Sequence, residues 1–255
     1  MAREKITFEV FYSEQYGDRW EELKAAMLSE EEDKTTLPDL IQPYYMDRTS
    51  IETAYLLPLK EGDSVLDMCA APGGKTIVLL SRMEGKCSLV SNDRSSERRE
   101  RMRRAVTECL PSSLLSSWKV TGHDASKWGL YEKEAYDAIL LDAPCSSERH
   151  VMQSHEHLMQ WSPSRPKRLQ ALQYTMLNSA MMALKRGGCL LYSTCSINRL
   201  EDDAIIRRFM TKHPGEAIEV PIALEFGEKL DYGSLVLPDK SGGRGPMYAA
   251  LLRKL

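Results

Sequence analysis

Residues 64–76 read Ser64-Val65-Leu66-Asp67-Met68-Cys69-Ala70-Ala71-Pro72-Gly73-Gly74-Lys75-Thr76. A short apolar run closes on an acid, tiny residues follow, and two glycines open a helical pattern through Ile77, Leu79 and Leu80. That order predicts a strand, a tight turn and a helix. Small residues let a ligand approach the backbone, and the first turn of the helix offers unpaired N–H groups to an anion. Gly74-Lys75-Thr76 mimics the end of a phosphate-binding loop, but that loop needs a glycine where Cys69 stands. The spacing G-x-G-x-x-G is absent as well.

Outward from this segment the chain alternates. Strands are expected at 64–68, 88–91, 118–121, 138–141 and 189–192. Helices are expected from Gly74, over the arginine-rich 95–109, over 165–185, and after Asn198 with Glu201. Two late runs, 234–237 and 247–252, read as a hairpin. Strands that are apolar throughout, separated by helices, predict an α/β fold whose mostly parallel sheet is covered on both faces. Ahead of it, 13–32 reads as a helix with Trp20, Leu23, Met27 and Leu28 on one stripe, followed by a polar stretch over 29–39. Thr49 and Glu52 have the spacing of a capping box for a short helix through Ala54 and Leu57. The expected division is a helical extension, 1–45, and a ligand-binding domain, 46–255.

With 255 residues, 42% hydrophobic and 28% charged, the chain has the apolar content for a sizeable core, which excludes disordered, collagen and solenoid classes. No apolar run reaches the ~18 residues of a membrane span, and the first ten residues contain no signal-like apolar region, so secretion is not expected. The net charge is −3. The acidic excess lies in residues 1–40, and the remainder is mildly basic, which permits a nucleic-acid partner without demanding one. The six cysteines contain no C-x-x-C pair, so no zinc or iron–sulfur framework is present. Cys87, Cys109 and Cys189 read as small core residues. His150, His155 and His157 read as exposed loop residues rather than metal ligands, and no metal is expected.

Acids close four successive strands or the turns just after them: Asp67, Asp93, Asp124 and Asp142. Asp93 follows Gly74 at close to the spacing of an acid that binds ribose hydroxyls. An acid after the third strand can accept from the exocyclic amine of adenine. A ligand with a ribose, an adenine amine and a cationic amino acid matches the set, and S-adenosylmethionine has all three.

Three motifs stand in order: Asp67 to Thr76, Asp142-Ala143-Pro144-Cys145-Ser146, and Tyr192-Ser193-Thr194-Cys195-Ser196. From about residue 41 to the end, the chain resembles the Nop/Sun family of RNA cytosine-C5 methyltransferases. The stretch Phe8 to Trp20 and the run Pro144 to His150 resemble the mitochondrial ribosomal-RNA branch. The resemblance implies a Rossmann-like class I methyltransferase fold with a seven-stranded sheet and S-adenosylmethionine as cofactor. It implies that Cys195 attacks C6 of the base, that Cys145 assists release, and that Asp142 holds N3. C5 of cytosine is a poor nucleophile, and a thiolate adding to C6 converts the ring to an enamine that can accept a methyl group. By the same resemblance Cys69, Ala70, Ala71, Pro72, Gly73, Gly74, Lys75, Asp93, Arg98, Asp124 and Asp142 hold the cofactor. A cation near Cys195 would lower its pKa, and Lys75 is the motif's candidate.

The expected partner is RNA, ribosomal in the first instance, bound by a single copy of the chain, with a protein partner or ribosomal subunit supplying specificity. Arginines between 94 and 104, together with Arg149, Arg165, Lys167 and Arg168, are candidates for phosphate contacts. A DNA cytosine-C5 methyltransferase would leave Cys195 without a task. A cofactor-binding assembly factor without turnover is the other class weighed, and two intact motif cysteines argue against it. Many family members read Pro-Cys-Ser-Gly-x-Gly, whereas here Ser147 and Arg149 replace both glycines, which predicts a stiffer loop. The compartment expected is the cytoplasm in a bacterium, with mitochondria open for a eukaryote.

Overall fold

The structure, a computed structural model, describes residues 6–29 and 33–255. Two helices lead: α1 (Phe8–Tyr16) and α2 (Trp20–Leu28), joined by a single 3-10 turn. A small antiparallel pair, β1 (Lys34–Thr35) and β2 (Met46–Asp47), precedes α3 (Arg48–Tyr55). The alternation follows: β3 (Ser64–Asp67), α4 (Gly74–Met83), β4 (Ser88–Asn92), α5 (Ser96–Cys109), β5 (Trp118–Thr121), α6 (Trp128–Tyr131) and β6 (Tyr136–Asp142). Three helices come next, α7 (Glu148–Met152), α8 (His155–Gln160) and α9 (Ser164–Ala183), before β7 (Leu184–Thr194) and α10 (Asp203–Lys212). The chain closes with β8 (Ala217–Val220), β9 (Glu228–Lys229), β10 (Ser234–Val236) and β11 (Met247–Lys254).

The main sheet runs β5-β4-β3-β6-β7-β11-β10-β9, with β8 also paired to β11. The five strands β3 to β7 pair in parallel, and β11 and β10 add antiparallel. The expected hairpin is therefore present. The sheet has nine strands where seven were expected; the short edge strands β8 and β9 are the additions, too brief to show a periodic pattern in sequence.

Alternate residues of the strands feed two apolar clusters. Ile139 and Leu141 of β6 face the cluster built with α1, α2, α9 and α10. Ala138 and Leu140 face the one built with α3, α4 and α5. Strand order reverses between β3 and β6, so a crevice opens beyond their carboxyl ends, where Asp67 and Asp142 stand.

Several boundaries differ from expectation for local reasons. The leading helix is broken at Gly17, whose φ of 57° an α-helix does not accommodate. Trp20, Leu23 and Met27 are buried as expected, but Leu28 at the helix end is exposed. The tail of that reading, 30–32, lies outside the described residues. Asp47, not Thr49, caps α3: its Oδ1 accepts from Thr49 N at 2.8 Å. The last helix starts at Asp203, because Asn198 closes a local turn onto Leu200 N and Glu201 points inward. Residues 8–28 contribute Phe8, Tyr12, Trp20, Leu23 and Met27 to the same cluster as the sheet, so packing is continuous across the 45/46 boundary.

Candidate active site

The parallel register of β6 and β7 sets Asp142 beside Ser193. Cys145 and Cys195 lie just beyond, on the loops that leave these two strands, and their Sγ atoms are 3.2 Å apart as free thiols. Cys195 is exposed to a cavity of about 360 Å³ that Lys75, Asp142, Ser147 and His150 also line. Lys75 Nζ donates to Asp142 Oδ2 at 2.8 Å, and Ser193 Oγ donates to Asp142 Oδ1 at 2.7 Å. Burial works against the Lys75 ammonium, but Asp142 outweighs it and holds the lysine above its usual pKa.

The Cys195 thiol is lowered first by the hydrogen bond from Cys145, against the upward push of burial, with further help from Ser147 and Lys75. Cys145 is correspondingly raised, by its bond to Cys195 and then by burial.

Two fully buried carboxyls clasp the loops that carry the cysteines. Glu148, on the Cys145 loop, accepts from Ser196 Oγ and Ile197 N, both at 3.1 Å, directly after Cys195. Glu201, on the Cys195 loop, accepts from Ser146 N at 2.9 Å and from the Ser146 hydroxyl, directly after Cys145. Gln173 of α9 bonds both Glu201 and Pro144 O, each at 2.9 Å. Tyr12 of α1 donates to Glu148 at 2.5 Å. Burial raises Glu148, and it raises Glu201 to about 8. These residues were missed in sequence, where Glu201 read only as part of a helix-start signal and Glu148 was not singled out.

A second cavity, about 140 Å³, lies against the turn after β3 and is lined by Asp67, Cys69, Ala70, Ala71, Gly74 and Lys75. Asp67 is buried, and burial lifts its pKa to about 7. Its Oδ2 accepts from Thr76 Oγ1 at 2.6 Å, while Oδ1 has no partner. Gly73 holds a φ of 115°, and a Cβ there would meet Met102 Cγ at 3.0 Å, so the turn requires glycine.

A third cavity, about 220 Å³, continues past Cys69 to Asp93, Arg98 and Asp124. Asp93 accepts from Ser95 N at 2.9 Å and pairs with Arg98 at 3.2 Å, and Arg98 also donates to Ala71 O. Arg98 thus ties the glycine turn to the acid that follows β4. Asp124 is held below the usual carboxylate range by hydrogen bonds from Ser126. Of the cofactor set expected from sequence, every residue but Gly73 lines one of these three cavities, which share Cys69, Lys75 and Asp142 between neighbours.

Other candidates fall elsewhere. Arg149 is buried and donates to Gly243 O at 2.8 Å and Gly245 O at 2.7 Å, bracing the loop before β11 rather than facing solvent for a phosphate. Arg165 is half-buried and donates to Ser146 O at 3.4 Å. Lys167 and Arg168 are exposed. His150, His155 and His157 sit on the short helices α7 and α8, not on a loop, and His157 is half-buried. No three His, Cys, Asp or Glu among the described residues are placed to hold a metal. No described helix is long and apolar enough to cross a membrane. Cys87, Cys109 and Cys189 are buried as expected.

Comparison with known proteins follows the same lines. The chain is 33% identical over 228 residues to the 5-cytosine rRNA methyltransferase NSUN4 of Bos taurus, covering 82% of this chain and 59% of that protein. It is 31% identical over 230 residues to a mitochondrial tRNA (cytosine(34)-C(5))-methyltransferase of Danio rerio, covering 85% and 62%. The chain thus spans about three fifths of the length of these relatives. Among solved structures, NSun6 from Pyrococcus horikoshii with SFG superposes with a TM-score of 0.70 at 27% identity, over 83% of this chain and 53% of that one. A family model described as 16S rRNA methyltransferase RsmB/F matches residues 54–253, and the chain belongs to that family.

Proposed function

We propose that this protein transfers a methyl group from S-adenosylmethionine to C5 of a cytosine in RNA, with ribosomal RNA as the substrate. The observation that carries the reading is the thiol pair, Cys145 and Cys195 at 3.2 Å, beside the Lys75–Asp142 ion pair that also borders the cofactor crevice. The crevice fits the cofactor. The unpartnered Oδ1 of Asp67 suits its ammonium group, Asp93 its ribose hydroxyls and Asp124 its adenine amine. Bound there, S-adenosylmethionine supplies the methyl group.

The protein's own groups carry the remainder. Cys195, as thiolate, adds to C6 and makes C5 nucleophilic. Asp142, fixed by Lys75 and Ser193, presents a carboxyl for N3 of the base. After transfer, a general base must take the C5 proton; the C5–H electron pair then restores the C5–C6 double bond and the C6–S pair returns to Cys195, with the Cys145 thiol in hydrogen-bond contact to assist that departure. A base must leave its stack to reach this site, which costs a few kcal/mol from a duplex. A loop or bulge of ribosomal RNA, presented in a partly assembled subunit, suits the mildly basic body of the chain better than a regular duplex. One copy of the chain holds every group named. The compartment is the one that contains that RNA: the cytoplasm if the source is a bacterium, the mitochondrion if it is a eukaryote.

The test is a denaturing gel of protein with RNA and cofactor. Cys195→Ala is expected to give neither methylation nor adduct, and Cys145→Ala to accumulate a covalent adduct. The opposite pattern reverses the two roles. Adduct formation with neither variant altered removes the cysteines from the chemistry.

A further inference from the structure

Ser147 occupies a left-handed backbone conformation, φ 51° and ψ 56°, on the loop between Cys145 and α7. A side chain in that region carries a conformational penalty that glycine avoids, and such penalties persist where the side chain has a task. Ser147 directly precedes α7, where a serine ordinarily caps the helix, yet its side chain makes no capping hydrogen bond. Its Oγ stands instead 3.4 Å from Cys145 Sγ and 3.4 Å from Cys195 Sγ. With the sulfurs themselves 3.2 Å apart, the three atoms form a nearly regular triangle at the edge of the cavity that Cys195 faces.

We propose that Ser147 is a catalytic residue whose hydroxyl donates to Cys195 Sγ and holds that sulfur as the thiolate that attacks the base. The proposal rests on the reading of Cys195 as nucleophile. In this arrangement Cys195 accepts two hydrogen bonds, from the Cys145 S–H and the Ser147 O–H, and Cys145 keeps its proton. The competing acceptors for the hydroxyl, Cys145 O at 3.5 Å and the protonated Cys145 Sγ at 3.4 Å, are neutral. A charged acceptor makes the stronger bond.

The other groups around Cys195 act in both directions. Lys75, from the start of α4, favours a negative sulfur, and Arg149, from α7, borders the same cavity. Asp142, at the end of β6, opposes it; Asp47, ahead of α3, borders the same cavity, and Glu148 raises Cys145 and so helps keep the proton there. His150 borders the same cavity. These charges stay in place when the Ser147 hydroxyl is removed, which isolates its contribution.

The experiment follows alkylation of Cys195 by iodoacetamide over a pH series, with peptide mass spectrometry separating its label from that of Cys145. Wild type, Ser147→Ala and Ser147→Gly are compared, with thermal unfolding confirming that each is folded. Ser147→Gly also relieves the left-handed conformation, so it retains the loop without the hydroxyl. In both variants the midpoint for Cys195 alkylation is expected to rise by about one pH unit, the size of one hydrogen bond to a charged group. An unchanged midpoint in both overturns the proposal. A rise in Ser147→Ala alone also overturns it, because the effect then comes from the backbone. Alkylation needs neither RNA nor cofactor, so this result stands apart from the adduct assay of the cysteine variants.

Discussion

Glu201 and Ser146 are joined twice, through the Ser146 amide and its hydroxyl, so the loop of one motif cysteine is fastened to the residue that follows the other. Glu148 makes the reciprocal fastening to Ser196 and Ile197. The distance between the two thiols is thereby set by buried carboxyls rather than by the strands alone.

Glu201→Ala leaves Ser146 N, its hydroxyl and Gln173 without their acceptor, and is expected to cost about 3 kcal/mol. Glu201→Gln retains the shape and the acceptor. With a folded pKa of about 8 against an ordinary 4.5, the Glu201 contribution is complete below pH 4.5 and is lost as pH rises through 8. Chemical denaturation of Glu201→Gln over that range is expected to show a flatter loss of stability than wild type. Parallel curves for the two proteins would contradict this origin of the pH dependence.

Tyr12→Phe removes one donor from Glu148 while preserving the ring packing against Phe8 and Trp20. A loss of about 1–2 kcal/mol is expected by urea unfolding, together with slower adduct formation. Adduct kinetics identical to wild type would show that α1 does not tune the cysteine loops.

Asp93→Ala removes a carboxylate that holds Arg98 and borders the cofactor crevice. Calorimetry is expected to show S-adenosylmethionine binding weakened by about 1–3 kcal/mol. Unchanged affinity would take Asp93 out of the site.

Arg149→Ala and the double substitution Lys167→Ala/Arg168→Ala are expected to behave oppositely. Arg149 braces two backbone carbonyls from inside, so its loss lowers the unfolding temperature by several degrees. Lys167 and Arg168 are exposed, so their loss lowers RNA affinity and the salt dependence of binding while cofactor affinity stays constant. Binding titrations at two salt concentrations beside a melting curve separate the two cases.

The crevice was readable because each of its acids closes a strand or its following turn, and strand ends are marked locally by apolar runs and small residues. The proximity of Cys145 and Cys195 was implied by motif, and the parallel register of β6 and β7 supplies its physical cause. The clasp was not readable. Glu148, Arg149 and Glu201 are charged residues in polar stretches, and nothing local distinguishes a buried, hydrogen-bonded carboxyl or guanidinium from a solvated one. Asp202 is likewise buried, accepting from Thr194 Oγ1 at 2.7 Å, in a stretch whose composition reads as polar. The short strands β8 and β9 owe their form to β11 and β10 rather than to their own pattern.

The docking of α1 bears on how the protein can be trimmed. Phe8 and Phe11 pack on Trp161, while Gln15 and Tyr16 both donate to Ile197 O, next to the motif that carries Cys195. A shortened protein beginning near residue 46 would bare an aromatic face and free the Ile197 carbonyl at the same stroke. Its inactivity would report aggregation and a loosened loop, and says nothing of whether the amputated segment meets RNA. Point substitutions at Gln15 and Tyr16, in the intact chain, are the cleaner probe of that question.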